Sequence, residues 1–210
     1  YYLAPSAQVD YNEKPFRDWL DAKDLRLGKG ESPIDFAARV LEVIREDVTY
    51  HFDAYEDKRA SVACKTNRTD CAGMAFMVAG AMRASGVPAR LLVGRAVADQ
   101  PTNGLALRSW NNPHVRAEVY VKGVGWVPVE VSYANGDKKR PVTHYVGNDP
   151  GDLLVLHVDV EIQAPFPDRV RPARFLQIEP FYRAYGENRF DCTFGPDGWE
   201  VRATFLKKQP

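Results

Sequence analysis

The chain has 210 residues, of which 28 are basic and 28 are acidic, so its formal net charge is zero. That balance argues against a nonspecific nucleic-acid binder or a protein attracted to anionic membranes, because both need a surplus of positive charge. The length fits one domain with appended elements, and no window of about 18 apolar residues predicts insertion into a membrane. Because the chain begins at Tyr1 without an initiator methionine, we interpret it as processed or excised, from either a cytoplasmic or an exported protein.

The sequence predicts one domain in three parts, which are an N-terminal arm at 1–32, a core at 33–156 and a C-terminal β extension at 157–210. The arm is polar, interrupted by proline and glycine, and carries one predicted short helix within residues 11–27. The extension alternates strand-like runs with proline-rich breaks. Its predicted strands are 157–162, 175–178, 191–194 and 199–205.

The core is predicted to open with a helix. Ser32 is a favourable N-cap, Pro33 suits the first turn, and apolar residues then recur with helical spacing as far as Ile44. The residues 48–52 that follow are predicted to be extended. The next segment, residues 53–68, is charged and lacks periodicity, so we expect a loop.

A second helix is predicted within the stretch TDCAGMAFMVAGAMRASGVP, residues 69–88. Thr69 or Asp70 can cap its backbone N–H groups, and Ser85-Gly86 followed by Pro88 is a strong stop signal. Apolar and small side chains occupy all faces between these signals, which predicts a helix buried on every side. The helix therefore forms the centre of the domain, with Cys71 at its N-terminus.

The position of Cys71 favours reactivity, although free cysteines also commonly pack in protein interiors. An ordinary thiol has a pKa of about 8.5, and the positive end of a helix stabilises its anion. Unpaired N–H groups at the same end can also hold a developing oxyanion. Asn67, four residues upstream, is a candidate second donor or an ordinary loop asparagine.

The three cysteines do not indicate a metal site. Cys64, Cys71 and Cys192 have no CxxC spacing and no accompanying histidine cluster, so we predict neither a metal nor another cofactor. Their odd number leaves at least one free thiol in an oxidising compartment. A pairing of Cys64 with Cys192 would leave Cys71 free, but no spacing rule requires it.

A predicted β-hairpin supplies a histidine and a carboxylate. In HVRAEVYVKGVGWVPVEVS, His114 opens the first strand and Glu130 lies near the end of the second. An odd number of loop residues places both side chains on one face, about 5–8 Å apart, whereas an even number separates them. The paired glycines Gly123 and Gly125 favour a three-residue loop. We therefore predict that His114 and Glu130 are neighbours.

Three motifs in this order resemble the transglutaminase-like superfamily of papain-like cysteine enzymes, in its microbial single-domain branch. They are DCAGMAFMVAGAMRASGVPARLLVGR from Asp70, HVRAEVY from His114 and GWVPVE from Gly125. The resemblance covers roughly residues 35–152, with a weaker match at HYVGN from His144. It implies an α+β fold in which the buried helix that bears the cysteine packs on an antiparallel sheet. It also aligns Cys71, His114 and Glu130 with the Cys-His-Asp triad of the family.

The resemblance implies acyl transfer on peptide or isopeptide amides of a peptide or protein substrate, as a peptidase, an amidase or a cross-linking enzyme. Two residues depart from the family pattern: Glu130 replaces aspartate, and Arg116 replaces a tryptophan that usually helps to wall the site. Glu130 could pair with Arg116 across the hairpin instead of orienting His114. These departures keep open an alternative, a catalytically inactive binding or structural module of a larger protein.

Overall fold

The structure is a computed structural model that describes residues 1–53, 56–98, 109–165, 170–173, 189–195 and 198–204. Within these residues, α-helices alternate with short strands in the first half of the chain, and strands predominate in the second. The helices are α1 (Lys14–Ala22), α2 (Pro33–Asp47), α3 (Ala60–Thr66), α4 (Cys71–Ala84), α5 (Val131–Gly136) and a 3-10 turn at Val142–Tyr145. The strands are β1 (Thr49–Tyr50), β2 (Arg68–Thr69), β3 (Ala89–Ala98), β4 (Ser109–Val121), β5 (Gly125–Val129), β6 (Leu153–Val158), β7 (Ile162–Pro165), β8 (Val170–Ala173), β9 (Arg189–Gly195) and β10 (Gly198–Thr204).

The main sheet is antiparallel and has the strand order β5-β4-β3-β6. Among the described residues, three two-stranded sheets accompany it, of which β1 with β2 is parallel, while β7 with β8 and β9 with β10 are antiparallel. Helix α4 packs against β3 and β4 on one side and against α2, α3 and α5 on others. The predicted α+β architecture, a buried helix that bears a cysteine on an antiparallel sheet, is confirmed.

Helix α4 is the most deeply buried element of the described chain, as its uniformly apolar composition predicts. Every residue from Cys71 to Arg83 is buried. Two glycines allow this packing, because a Cβ at Gly73 would lie 1.9 Å from the Thr69 Oγ1 atom and a Cβ at Gly80 would lie 2.8 Å from the Phe16 ring. Close approach of β2 and α1 to the central helix therefore depends on the absence of a side chain at these positions.

The predicted three-residue hairpin loop is confirmed. Val121 pairs with Gly125, so residues 122–124 form the loop, and Gly123 and Gly125 adopt φ values of +85° and +110° that suit glycine. Ala117 pairs with Val129, and this register gives residues of equal parity on the two strands the same face. His114 and Glu130 consequently project to the same side.

Two expectations of the sequence analysis are wrong. Residues 53–68 are not a continuous loop, because α3 and β2 lie within them. The residues Ala60, Ala63 and Cys64 are buried at helical spacing, and α3 packs them against α1 and α4, so tertiary packing stabilises a helix in a polar context. Strand β4 also begins at Ser109 rather than at His114, because its first residues pair with the end of β3.

The N-terminal segment contributes directly to the core. Helix α1 lies within the predicted range 11–27, and its Phe16, Trp19 and Leu20 belong to the same buried cluster as the residues of α4.

In the C-terminal part, β9 and β10 match two predicted strands, whereas the predicted strand 175–178 lies outside the described residues. The strand predicted at 157–162 is instead divided, since β6 ends at Val158 and β7 starts at Ile162. Among the described residues, no helix combines the length and apolar character that crossing a bilayer requires.

Candidate active site

The N-terminus of α4 presents Cys71 in a rigid, capped position. The Asp70 carboxylate accepts hydrogen bonds from the backbone N–H groups of Ala72 (3.0 Å) and Gly73 (3.3 Å), as an N-cap does. The buried ammonium group of Lys58 lies 3.0 Å from the other oxygen of Asp70. Because Asp70 accepts hydrogen bonds from the N–H groups of the second and third helical residues, the N–H of Cys71 remains available to bind an oxygen that approaches the sulfur.

His114 and Glu130 are hydrogen-bonded across the hairpin, as the loop parity predicts. The His114 Nε2 atom lies 2.8 Å from the Glu130 Oε2 atom, and both side chains are buried. Since Glu130 occupies Nε2, the Nδ1 atom is the ring nitrogen that can face another partner. A carboxylate in this position fixes the orientation of the ring and stabilises the imidazolium.

Cys71 is the third group of this arrangement. Burial lowers the pKa of His114, but the influence of Cys71 and the hydrogen bond and negative charge of Glu130 more than offset burial and raise the pKa to about 10. Burial raises the pKa of Glu130, while the bond to His114 and the positive charges of His114 and Arg116 lower it, and the net direction is downward. The surroundings therefore favour a positively charged ring beside a negatively charged carboxylate.

Arg116 binds the same carboxylate oxygen as His114. Its Nε atom donates to Glu130 Oε2 at 2.8 Å, and its two terminal nitrogens donate to Asp149 Oδ1 and Asp152 Oδ1, both at 2.7 Å. The side chain is among the largest that are fully buried. The two pairings that the sequence offers as alternatives, Glu130 with His114 and Glu130 with Arg116, therefore occur together.

The comparisons with known proteins agree with this architecture. The family model described as "Transglutaminase-like superfamily" matches residues 22–131, which is more than half of the chain. The chain belongs to the transglutaminase-like superfamily. Membership supports, in broad terms, a cysteine-dependent enzyme. No curated protein matches the chain.

Solved structures show the same transglutaminase-like fold at low sequence identity. One is a "Putative Cysteine Protease" from Cytophaga hutchinsonii, 18% identical with a TM-score of 0.51, covering 75% of this chain and 45% of its own. Another is the periplasmic domain of TgpA from Pseudomonas aeruginosa bound to ethylmercury, 22% identical with a TM-score of 0.50, covering 63% of this chain and 48% of its own. The present chain thus spans about half the length of these proteins.

Two tyrosines near the transglutaminase-like site have no signal in the sequence. The ring of Tyr133 stacks on His114 with centroids 5.2 Å apart and an interplanar angle of 16°, and its hydroxyl donates to Asp152 Oδ2 at 3.3 Å. Tyr50 lies near Cys71, and its partial burial together with the influence of Cys71 and Asp70 raises its pKa. Its hydroxyl therefore remains protonated at neutral pH.

The remaining candidate residues, Asn67 and the other two cysteines, are not assigned to the site. Asn67 caps the C-terminus of α3 in a left-handed conformation with φ of 52° and is exposed. Cys64 is a free thiol in the core, and burial raises its pKa to about 12. The side chain of Cys192 lies outside those that the structure describes. Among the described residues, no group of three or more histidine, cysteine, aspartate or glutamate side chains could hold a metal ion.

Proposed function

We propose that the chain is a cysteine-dependent acyl-transfer enzyme that acts on peptide or isopeptide amides through Cys71, His114 and Glu130. The observation that supports this proposal most directly is the buried His114–Glu130 hydrogen bond, close to Cys71 at the N-terminus of a buried helix. A thiol, a base and an orienting carboxylate are the three groups that nucleophilic acyl transfer requires.

The first half of the reaction forms a thioester. The imidazole of His114 takes the thiol proton, and the Cys71 sulfur attacks the amide carbonyl carbon. The backbone N–H of Cys71 and the hydroxyl of Tyr50 are the donors proposed for the oxyanion. The C–N bond then breaks, and the imidazolium of His114 gives its proton to the departing amine.

The second half releases the acyl group. His114 takes a proton from water as the water oxygen attacks the thioester, the C–S bond breaks, and the sulfur recovers a proton from His114. An amine can take the place of water and yield a new amide. Water is present at ~55 M, far above any amine, so we favour hydrolysis over cross-linking.

Covalent trapping tests the nucleophile without knowledge of the substrate. The protein is incubated with an amide-mimicking thiol-directed inhibitor, and the adduct is located by mass spectrometry. We expect the adduct on Cys71 in the wild type and in the matched variant Cys64→Ser, and none on the corresponding peptide of Cys71→Ser. His114→Ala should slow labelling at pH 6 by up to about 300-fold, because an ordinary thiol is only about 0.3% ionised there.

Two results would contradict the proposal. One is an adduct on Cys64 or Cys192 while Cys71 remains unmodified. The other is a His114→Ala variant that is labelled as fast as the wild type at every pH, which is the behaviour of an inactive module.

A further inference from the structure

We infer that Arg116 is a positioning residue, which holds the His114 ring toward Cys71 by two separate routes. One route runs along the edge of the imidazole and the other across its face. The inference rests on the proposed function, since it concerns the same triad, and it assigns a role to a residue that replaces an aromatic side chain in the family pattern.

The edge route passes through Glu130. The Oε2 atom of Glu130 accepts from both His114 Nε2 and Arg116 Nε at 2.8 Å, and its Oε1 atom accepts from Ser132 Oγ at 2.9 Å. Three donors thus fix both oxygens of the carboxylate. The imidazole can rotate only if this hydrogen-bonded carboxylate moves with it.

The face route passes through Asp152 and Tyr133. A terminal nitrogen of Arg116 donates to Asp152 Oδ1 at 2.7 Å, and the Tyr133 hydroxyl donates to the other oxygen of that carboxylate at 3.3 Å. The Tyr133 ring then stacks on His114. The two routes close a ring of contacts that begins and ends at the guanidinium.

The shape of the guanidinium matters as much as its charge. Each of its three nitrogens binds a different carboxylate, on Glu130, Asp149 and Asp152. A planar fork can hold three acceptors in fixed directions, whereas a lysine ammonium is a compact point charge on a flexible stem. The proposed role therefore predicts that lysine is a poor substitute for Arg116.

The glutamate at position 130 fits this role. Ala117 pairs with Val129, so the next pair along the hairpin brings Arg116 opposite Glu130, while His114 lies two residues further along the same face. One carboxylate oxygen must reach both side chains. The methylene that distinguishes glutamate from aspartate gives the carboxylate the extra reach to lie between them.

The experiment measures iodoacetamide alkylation of Cys71 by mass spectrometry between pH 5 and 10, in the wild type and in three variants. Arg116→Met removes the charge and the fork, and Arg116→Lys keeps only the charge. Arg83→Met is the matched control, because Arg83 is also buried and paired with a carboxylate, Asp159, but makes no contact with the triad. Thermal unfolding is recorded for each protein.

We expect Arg116→Met to slow alkylation at pH 6 at least tenfold and to shift the pH profile upward. Arg116→Lys should recover less than half of that loss on a logarithmic scale. Arg83→Met should lower the unfolding temperature while it keeps the alkylation rate within twofold of the wild type. A wild-type profile for Arg116→Lys would show that charge alone suffices, and a wild-type profile for Arg116→Met would show a purely structural residue; either result overturns the inference.

A further variant protects the test against misfolding. Asp152→Ala breaks the face route at a side chain that is only partly buried, and we expect alkylation two- to fivefold slower. If Arg116→Met does not fold, wild-type rates in both Arg116→Lys and Asp152→Ala overturn the inference, and reduced rates support it. Failure of the triad itself is distinguishable, because His114→Ala would then show the wild-type profile whatever Arg116 does.

Discussion

Two buried arginines in this molecule bind carboxylates in opposite ways. Arg83, in the last turn of α4, donates to the backbone oxygens of Ala89 and Ala4 and meets one carboxylate oxygen of Asp159 at 3.3 Å. Arg116 donates to three carboxylates, all at 2.7–2.8 Å. The first arginine ties together segments distant in sequence, whereas the second organises charge around a histidine.

The pKa values of the carboxylates that these two arginines bind, Asp159 and Glu130, shift in opposite directions. Burial raises the pKa of Asp159, and the attraction of Arg83 does not offset it; among the described residues, its Oδ2 atom has no hydrogen-bond partner. Burial also acts on Glu130, but there His114 and Arg116 together lower the pKa. A buried arginine alone therefore does not keep a carboxylate ionised. At Glu130 the hydrogen bond and positive charge of His114, added to the charge of Arg116, make the difference.

The largest effect expected from this contrast follows the neutralisation of Glu130. Glu130→Gln keeps the size of the side chain but removes the charge that favours the imidazolium, so the pKa of His114 should fall toward its ordinary value. We expect alkylation of Cys71 by iodoacetamide at pH 6 to slow by up to about 300-fold, the limit set by an ordinary thiol. Mass spectrometry of the alkylated peptide measures the rate.

Two matched variants sharpen this prediction. Glu130→Asp keeps the charge and shortens the reach, so its rate should lie between those of the wild type and Glu130→Gln. Glu118→Gln removes a carboxylate from β4, the other strand of the hairpin, where it pairs with Arg90, and should leave the rate unchanged. Equal rates in Glu130→Gln and Glu118→Gln would remove the basis for a catalytic carboxylate.

The second effect concerns stability and pH. The pKa of His114 is about 10 in the folded chain and about 6.5 in an unfolded one. A group whose pKa rises on folding stabilises the folded state. This stabilisation is complete at pH values below the pKa of the unfolded chain, and it is lost as the pH rises through the pKa of the folded chain. We expect the contribution of His114 to the free energy of unfolding to fall by up to about 5 kcal/mol between pH 6.5 and 10, at 1.36 kcal/mol per pKa unit.

Urea unfolding of the wild type and of His114→Gln at several pH values tests this pH dependence of the free energy of unfolding. The difference between the two proteins should be largest near pH 6 and should shrink toward pH 10. A difference that stays constant over this range would mean that the imidazolium is not stabilised by the fold. A difference that grows with pH would reverse the sign of the predicted linkage.

The central helix and the hairpin could be predicted from the sequence because their signals are local. Asp70 and Gly86 mark the ends of α4, and the parity of a three-residue loop places Glu130 beside His114. Helix α3 could not be predicted in this way, because it has few apolar residues and is stabilised by packing against α1 and α4. Residues 166–169 and 174–188 of the predicted extension lie outside the described chain, and the boundaries proposed at residues 32 and 156 remain predictions.

The ring of contacts around His114 is not visible in the sequence for a different reason. Arg116, Tyr133 and Asp152 come from a strand, a helix and a loop, and no periodic pattern relates them. Tyr50 lies on a two-residue strand that reaches the site only because β1 pairs with β2 just before Cys71. Such side chains are brought together by the tertiary fold, whereas the motifs identify only the residues on one hairpin and one helix.

The smallest effect should follow the neutralisation of Asp159. Because its pKa is raised, the folded environment disfavours the charged form even with Arg83 present, so Asp159→Asn loses little when it removes the charge. Asparagine also tolerates the left-handed conformation of this residue, which has φ of 60°. We expect the free energy of unfolding at pH 7 to change by less than about 1 kcal/mol, and the alkylation of Cys71 to remain unchanged. Urea unfolding measures the first and mass spectrometry the second. Breaking a strongly coupled buried ion pair usually costs about 3 kcal/mol or more. A loss of that size in Asp159→Asn would show that Arg83 and Asp159 are coupled as strongly as Arg116 and its carboxylates. The two arginines would then differ only in the residues that they contact.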